Sequence, residues 1–213
     1  MLCIYELEDF DGTTSVPLSR VGADARAALF TDARTAYSFT DVPVDDAMLT
    51  GIWELTRWAP TAANLQPLRV LFVRTPEGKE RLLPHLDEGN RPKSASAPAV
   101  AVLAVDNRFH EHIPHILPIK PELREHFAAE PAQRDGITSF NGPLQAGYFI
   151  LAVRACGLAA GPMAGFDAAG IDKEFFPDSS WHSVLVVNIG HPAGPPEFGR
   201  MPRLAHEDAV AWV

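Results

Sequence analysis

One almost uninterrupted apolar run, GPLQAGYFILAVRACG at residues 142–157, constrains the fold more than any other stretch of the chain. A helix that is apolar on nearly every side is stable only when other elements cover it. We therefore expect a central buried helix, which ends at Gly157 because glycine readily adopts the backbone conformation that closes a helix. With 213 residues, 46% of them hydrophobic, the chain can build one large domain around this helix.

Three strands are predicted to lie against that helix. They cover residues 69–74, 97–105 and 183–190, where β-branched and apolar residues dominate. The run 97–105 is apolar on both faces, so that strand should be buried on both. Three strands interleaved with at least four helices predict an α/β or α+β domain with the sheet backed by the central helix.

The remaining helices are predicted from their end signals. A short helix is expected over 23–34 and a longer one over 44–59, which Asp45 caps and Pro60 ends. Its buried stripe is expected to be Met48, Leu49, Ile52 and Leu55. A further helix opens with Thr75 as its cap and Pro76 at its first position, and Asp167 caps another. Residues 106–136, rich in His and Pro, are predicted to form an irregular lid.

Composition and patterning favour a single intracellular domain. We interpret residues 1–22 as an N-terminal extension or arm and residues 23–213 as the domain. The net charge of −9 argues against a nucleic-acid-binding surface. The two cysteines, Cys3 and Cys156, form no disulfide framework. The start of the chain lacks a signal-peptide pattern, and no apolar run reaches the roughly 18 residues that a membrane span needs. A cytoplasmic protein with no membrane partner is expected.

Several common catalytic and metal-binding motifs are missing from the sequence. It contains no G-x-G-x-x-G after a strand, no G-x-x-x-x-G-K-[ST] and no G-x-S-x-G. His110, His112 and His115 lie within six residues and could be metal ligands. Histidines in a proline-punctuated loop are more often solvated, so we predict no metal site.

Two corners and four flanking residues nevertheless suggest a ligand. The stretch RWAPTAANLQP at 57–67 places a hydroxyl and two carboxamides in one tight corner, suited to a flat heterocycle or a polyol. The stretch GLAAGPMAGFD at 157–167 can bring backbone N–H groups against a ligand. Cations that could clamp an anionic group occur near both ends of the chain. The candidate residues are Arg34, Thr35, Thr61, Asn64, Gln66, Pro162, Met163, Ala164, Gly165, Arg200 and Arg203.

Each of these features also has an ordinary explanation. Arg34 could be a helix-end cation, Asn64 and Gln66 could satisfy their own loop backbone, and Arg200 and Arg203 could be solvated surface charges. It is their joint occurrence that favours a binding site for flavin mononucleotide (FMN), with contacts to its ring edge, ribityl chain and phosphate.

The pattern R-x-A-P-[ST]-x-x-N-x-Q-P, followed by G-P-M-x-G-F-D and then R-x-P-R, resembles the nitroreductase-fold FMN oxidoreductases. Within this family the chain resembles the branch of malonic semialdehyde reductases, which has counterparts of VRTPEGKERL (73–82) and MAGFD (163–167). The likeness runs from about residue 29 to residue 207. Two departures stand out: the family often has two consecutive basic residues where this chain has Ala33-Arg34, and often a Glu at the position of Ala164.

The resemblance implies an α+β nitroreductase-like fold, with a central, mostly antiparallel sheet flanked by helices. It also implies a homodimer with two FMN sites at the subunit interface. Arg34 and Thr35 match the N-terminal flavin-binding element, and Arg200 and Arg203 match a C-terminal phosphate clamp. Thr61, Asn64 and Gln66 match residues that usually reach the flavin across the interface. The turn with Pro162, Met163, Ala164 and Gly165 matches the one that faces the ring edge.

The activity implied is ping-pong hydride transfer through the flavin, with NADPH or NADH as donor, and no catalytic side chain of its own. The oxidant would be a small semialdehyde such as malonic semialdehyde, reduced to 3-hydroxypropanoate. Its carboxylate could bind Lys120 or Arg124. Two alternatives remain open: a broad nitroaromatic or quinone reductase of the same fold, and a non-catalytic flavin-binding module.

Overall fold

The computed structural model describes residues 19–195 and 199–213. Its strands are β1 (Leu68–Val73), β2 (Ala99–Asp106), β3 (Ala159–Met163) and β4 (Trp181–Gly190). Its α-helices are α1 (Ala23–Arg26), α2 (Asp46–Thr56), α3 (Pro76–Leu82), α4 (Arg91–Ser96), α5 (Ile113–Ile116), α6 (Leu123–Ala129), α7 (Pro131–Ala155), α8 (Ala168–Phe175) and α9 (His206–Ala209). Shorter helical turns lie at Ala27–Thr31, Ala62–Asn64, Leu83–His85, Glu88–Asn90 and Phe109–His112.

In this part of the chain the strands form one antiparallel sheet with the order β1-β2-β4-β3. Helices cover both of its faces, so the α+β class and the antiparallel sheet are confirmed. Every residue of β2 is buried, as its apolar sequence predicts. The sheet therefore separates two cores, and β2 contributes alternate side chains to each.

The first core lies between the sheet and the pair α2 and α7. Ile52 on α2 and Phe149 on α7 are fully buried there against Leu103 of β2. The second core lies on the other face, where Val102 and Val186 of the sheet meet Phe39 and Ile171. The segment that contains Phe39 lies on this second face, and that position brings residues 33–37 to the candidate site.

Several predicted helix ends are confirmed. Asp45, Thr75 and Asp167 each accept a hydrogen bond from the backbone N–H three residues later, as capping side chains do. Gly157 follows the end of α7 with a φ of +77°, the left-handed conformation that favours glycine. The expected stripe of α2 is correct at Leu49 and Ile52 but wrong at Leu55, which is 48% exposed.

The central helix is longer than predicted and has one open face. Helix α7 begins at Pro131, and Pro143 lies inside it. Within this one chain its inward face is buried, as predicted, whereas Leu144 and Tyr148 are exposed, and Phe140, which precedes the predicted run, is 69% exposed. A run without polar residues does not reveal which side remains uncovered.

The irregular conformation predicted over 106–136 is also wrong, whereas a role of this stretch as a lid stays a prediction. Apart from its turns, this stretch is helical, and Phe109, Ile113 and Phe127 form a third small core with Leu65. The prolines misled the prediction: Pro114 and Pro131 occupy first-turn positions, where a helix needs no N–H from the residue.

A fourth strand, β3, was missed because Gly161 and Pro162 suggested a turn. Proline is tolerated in a strand at the edge of a sheet, where one side needs no N–H donor, and β3 lies at the edge. The helix expected over 23–34 is shorter than predicted, since the helical turns stop at Thr31.

Cys3 and most of the predicted arm, residues 1–22, lie outside the described residues, and the domain boundaries remain a prediction. Within the described part of the chain, no helix is both long and apolar enough to cross a membrane.

Candidate functional site

The segment 33–37 borders three adjoining hollows of about 660, 200 and 180 Å³, and Thr35 and Tyr37 line all three. The segment is held against the end of β4 by backbone hydrogen bonds. Thr40 donates to the carbonyl of His191 (2.8 Å), and Ala193 donates to that of Ser38 (3.0 Å). Beside these bonds Phe39 is buried in the second core. Sequence-distant parts of the chain therefore meet along one short segment.

The 200 Å³ hollow is strongly basic. The described residues that line it include four arginines and no carboxylate. These are Arg34, Arg154, Arg200 and Arg203. Such a cluster attracts a compact anion, because guanidinium groups donate geometrically matched hydrogen bonds to phosphate oxygens.

The C-terminal segment reaches this hollow through Arg200. Its guanidinium donates to the backbone carbonyl of Thr31 and to that of Ala33 (3.2 Å). Arg203 donates to the carbonyls of Met201 (2.9 Å) and Pro202 (3.1 Å). The structure thus places both C-terminal arginines beside Arg34, which the sequence interpretation required but could not demonstrate.

Arg154 was not predicted as a site residue. It lies near the C-terminal end of α7 and lines both the 200 and the 660 Å³ hollows. Its Nη1 donates to the carbonyl of Leu29 (3.1 Å), while its Nε is buried without a partner. Burial lowers the pKa of the Arg154 guanidinium, and the nearby charge of Arg200 lowers it further. The sequence did contain an indication that Arg154 has a special role, since it is the only charged residue in the run 142–157.

The 180 Å³ hollow has one end of the sheet as its wall. Pro162, Met163 and Ala164 line it together with Asn188 of β4. The carboxamide oxygen of Asn188 is buried and has no hydrogen-bond partner, so this wall presents an unused acceptor.

Two further polar residues that line this hollow, Asn90 and Lys93, were also not predicted. Lys93 Nζ lies 4.9 Å from the centre of the Tyr37 ring and donates to Asn90 Oδ1 at 3.2 Å. Asn90 Nδ2 in turn donates to the carbonyl of Gly165 at 2.9 Å. The three-residue spacing of Asn90 and Lys93 at the start of a helix was the available signal, because it places both on one side.

Gly165 lies against residues of its own chain, and its predicted position at the flavin ring edge stays a prediction. A Cβ on Gly165 would lie 2.4 Å from Asp87 Oδ2 and 2.9 Å from Asn90 Nδ2. The missing side chain therefore makes room for the chain's own neighbours. Ala164 lines the hollow, whereas Gly165 lies just beside it.

The corner formed by Thr61, Asn64 and Gln66 is held together by its own side chains. Thr61 Oγ1 accepts from the backbone N–H of Gln66 (3.2 Å), and Gln66 Nε2 donates to Asn64 Oδ1 (2.8 Å). Asn64 Nδ2 donates to the carbonyl of Ile116 (2.7 Å). These bonds support a backbone with positive φ at Ala63, Asn64 and Gln66, a conformation unfavourable for residues other than glycine.

Within one subunit, the corner at 61–66 lies far from the three hollows. The corner precedes β1, at the opposite edge of the sheet from β3. With roughly 4.8 Å between neighbouring strands, the two edge strands are about 14 Å apart. Binding of Thr61, Asn64 and Gln66 to a ligand across a subunit interface stays a prediction.

Asn141 on α7 anchors this corner, and its replacement gives a testable result. Its buried Oδ1 accepts from the N–H of Ala62 at 2.8 Å, and its Nδ2 donates to Ile137 O at 2.9 Å. We expect Asn141→Leu to lower the free energy of unfolding by about 1–3 kcal/mol, because a partly buried N–H loses its acceptor. Urea unfolding measures this effect, and hydrogen exchange at residues 61–66 should speed up. Ser139→Ala, at an exposed position of the same helix, is the control; an equal loss in both variants would refute the anchoring role.

The predicted substrate residues lie in the helical segment that the corner contacts. Arg124 donates to Glu111 at 2.6 and 3.0 Å and also contacts Glu125, and its hydrogen bond lowers the pKa of Glu111. Lys120 is exposed. Neither residue lines the three hollows of this chain.

The histidines of this segment do not converge. His110 is buried, whereas His112 and His115 are exposed. The described residues contain no group of three or more His, Cys, Asp or Glu side chains placed to hold a metal ion.

Comparison with known proteins gives a family match and similar sequences that agree with each other. The model of the Nitroreductase family matches residues 31–191. A Streptomyces coelicolor protein, provisionally named NADH dehydrogenase/NAD(P)H nitroreductase, is 80% identical over 94% of this chain and 100% of its own length.

Two solved structures share the fold. The provisionally named NAD(P)H:FMN oxidoreductase of Staphylococcus epidermidis has a TM-score of 0.76 at 20% identity, covering 92% of this chain and 98% of its own. A provisionally named nitroreductase of Exiguobacterium sibiricum, solved with FMN, has a TM-score of 0.70 at 20% identity, covering 92% of this chain and 100% of its own.

Proposed function

The chain belongs to the nitroreductase family, and on that premise we propose that it is an FMN-dependent oxidoreductase that takes hydride from NADH or NADPH. The observation that carries the proposal is the arrangement along residues 33–37, where an arginine-lined hollow adjoins a polar hollow at β3. The first hollow would suit the phosphate of FMN and the second would suit its ring edge, and Thr35, which lines both, would lie between the residues that hold these two groups. The Exiguobacterium relative of the same fold holds FMN.

The residues present fit this cofactor chemically. Arg34, Arg200 and Arg203 can neutralise a phosphate. Lys93 and Asn90 can donate to ring carbonyls, and the unpartnered Oδ1 of Asn188 can accept from a ring N–H. FMN, once bound, supplies the hydride chemistry, while the protein orients it and tunes its electronics. The described residues need supply no acid–base pair for that step.

We further propose a homodimer in which each subunit completes the site of the other. Helices α2 and α7 pack together, and exposed apolar side chains lie on both. They are Leu55 on α2, Trp58 just after it, and Phe140, Leu144 and Tyr148 on α7. Contact with a second copy would remove this apolar surface from water. The same contact would allow the corner at 61–66 to reach the site of the partner.

Our proposal for the oxidant is a small semialdehyde such as malonic semialdehyde. Asn64 ties the corner to the segment that carries Lys120 through its bond to Ile116. If the corner reaches the partner's flavin, this segment comes with it, and Lys120 provides a cation for the substrate carboxylate. Arg124 is less suited, because Glu111 and Glu125 already neutralise it. A nitroaromatic or quinone oxidant needs no such cation and is the second candidate.

Steady-state kinetics with a panel of oxidants test this choice. We expect malonic semialdehyde to have a higher kcat/KM than a nitroaromatic or a quinone. Lys120→Met should raise the KM for the semialdehyde about tenfold, the effect of losing one charge-assisted hydrogen bond, and leave that for the quinone unchanged. Lys173→Met, at an exposed position of α8, is the control. A nitroaromatic preferred by orders of magnitude would establish the second candidate instead.

A further inference from the structure

Arg154 is a cation in an unusual position for a soluble protein. It is half-buried, and of its five N–H donors one makes a hydrogen bond, to Leu29 O at 3.1 Å. Its Nε is completely buried and unpartnered. Buried charges are normally paired, because an uncompensated one loses its hydration without replacement, yet Arg154 forms no salt bridge within the described residues.

Among the described residues, those that line the 200 Å³ hollow with Arg154 add positive rather than negative charge. Arg200 is close enough to lower the pKa of Arg154, and Arg34 and Arg203 line the same 200 Å³ hollow. Asp32 lines the larger hollow only. Like charges held together repel one another unless an anion lies between them. The hollow is thus built to hold a compact anion of more than one charge.

We propose that Arg154 is a phosphate-binding residue that, together with Arg200, makes the site selective for a phosphate monoester over the same molecule without its phosphate. This inference rests on the proposed function and assigns it a residue from the central helix. Because α7 is packed against the sheet by Phe149 and Val153, Arg154 is held at a fixed position relative to β3. The C-terminal arginines, in contrast, lie on an exposed segment.

The alternative is that Arg154 acts only in packing. It lies in the last turn of α7, where a cation interacts favourably with the helix dipole, and its bond to Leu29 could simply fix the first helical turns. Arg134 lies on the same helix and also binds backbone carbonyls. It is half-buried and donates to the carbonyls of Phe127 (2.6 Å) and Ala128 (2.9 Å). It lies outside the three hollows and therefore serves as a matched control.

The test compares the affinities for FMN and riboflavin, measured by flavin fluorescence on apoprotein. Arg154→Met should weaken FMN binding by about 10- to 100-fold, the cost of one hydrogen bond to a charged group. Riboflavin affinity should change by less than about threefold, because riboflavin has no phosphate for Arg154 to bind. Arg154→Lys should restore part of the FMN affinity, and Arg134→Met should change neither.

The outcomes separate this inference from the proposed function. If Arg154→Met leaves FMN affinity unchanged, or weakens FMN and riboflavin equally, the phosphate role is overturned while flavin binding stands. If the wild-type protein binds neither flavin, the proposed function fails and this inference fails with it. Should Arg154→Met not fold, Arg154→Gln replaces it in the same titration. A fall in its FMN-to-riboflavin affinity ratio would support the proposal, and an unchanged ratio would contradict it.

Discussion

The double variant Arg200→Met/Arg203→Met is expected to bind FMN about 10²- to 10⁴-fold more weakly than the wild-type protein. Each arginine can contribute a hydrogen bond to a charged phosphate, about 1.5–3 kcal/mol, and two such losses add up if the sites act independently. Both residues line the basic hollow. Equilibrium titration of apoprotein with FMN, followed by flavin fluorescence, measures the change.

A second arginine pair controls for the loss of charge alone. Arg74 and Arg81 are exposed and pair with Asp46 and Glu174 on the surface. Exposed ion pairs contribute little to stability, so Arg74→Met/Arg81→Met should fold normally and retain wild-type FMN affinity. Wild-type affinity in the Arg200/Arg203 variant, or an equal loss in the control, would refute the assignment of the basic hollow to the phosphate.

The second large effect concerns stability. Phe149→Ala is expected to lower the free energy of unfolding by about 3–5 kcal/mol, because it removes a large buried side chain and leaves a cavity between α7 and the sheet. Phe149 has no exposed surface, and its ring centre lies 6.2 Å from that of Phe72. Urea unfolding followed by circular dichroism measures the loss.

A graded substitution checks the physical reason. Phe149→Leu fills most of the same space and should cost about 1–2 kcal/mol. If both variants lose the same free energy, the cavity is not the cause. If Phe149→Ala stays within about 1 kcal/mol of the wild type, Phe149 does not belong to the core that positions α7.

Local chemistry made part of the fold predictable. Asp45, Thr75 and Asp167 act as helix caps within three residues of themselves, and β2 could be recognised as doubly buried from its own composition. The wrong predictions came from residues whose conformation depends on contacts with distant parts of the chain. Pro162 suggests a turn until β4 is known to pair with it on one side, and Pro131 suggests a loop until it is known to open a helix.

The same distinction applies to the site. Motifs indicated Arg34, Thr35, Pro162, Met163 and Ala164, and the structure brings them around adjoining hollows with Arg200 and Arg203. Arg154, Asn90, Lys93 and Asn188 could not be found in this way, because they reach the hollows only through helix orientation and strand register. The predicted flavin contacts of Thr61, Asn64 and Gln66 lie in the site of a second subunit, so the structure of one chain does not test them.

Anaerobic reduction of the FMN-loaded protein is the most direct test of the central claim, that this chain holds a flavin and passes hydride through it. The protein should retain about one FMN per chain, as expected if the basic hollow binds one phosphate group. Stoichiometric NADH or NADPH should then bleach its visible absorption, and addition of an oxidant should restore the colour. A protein that retains no FMN, or whose colour persists with an excess of both nucleotides, would contradict the claim.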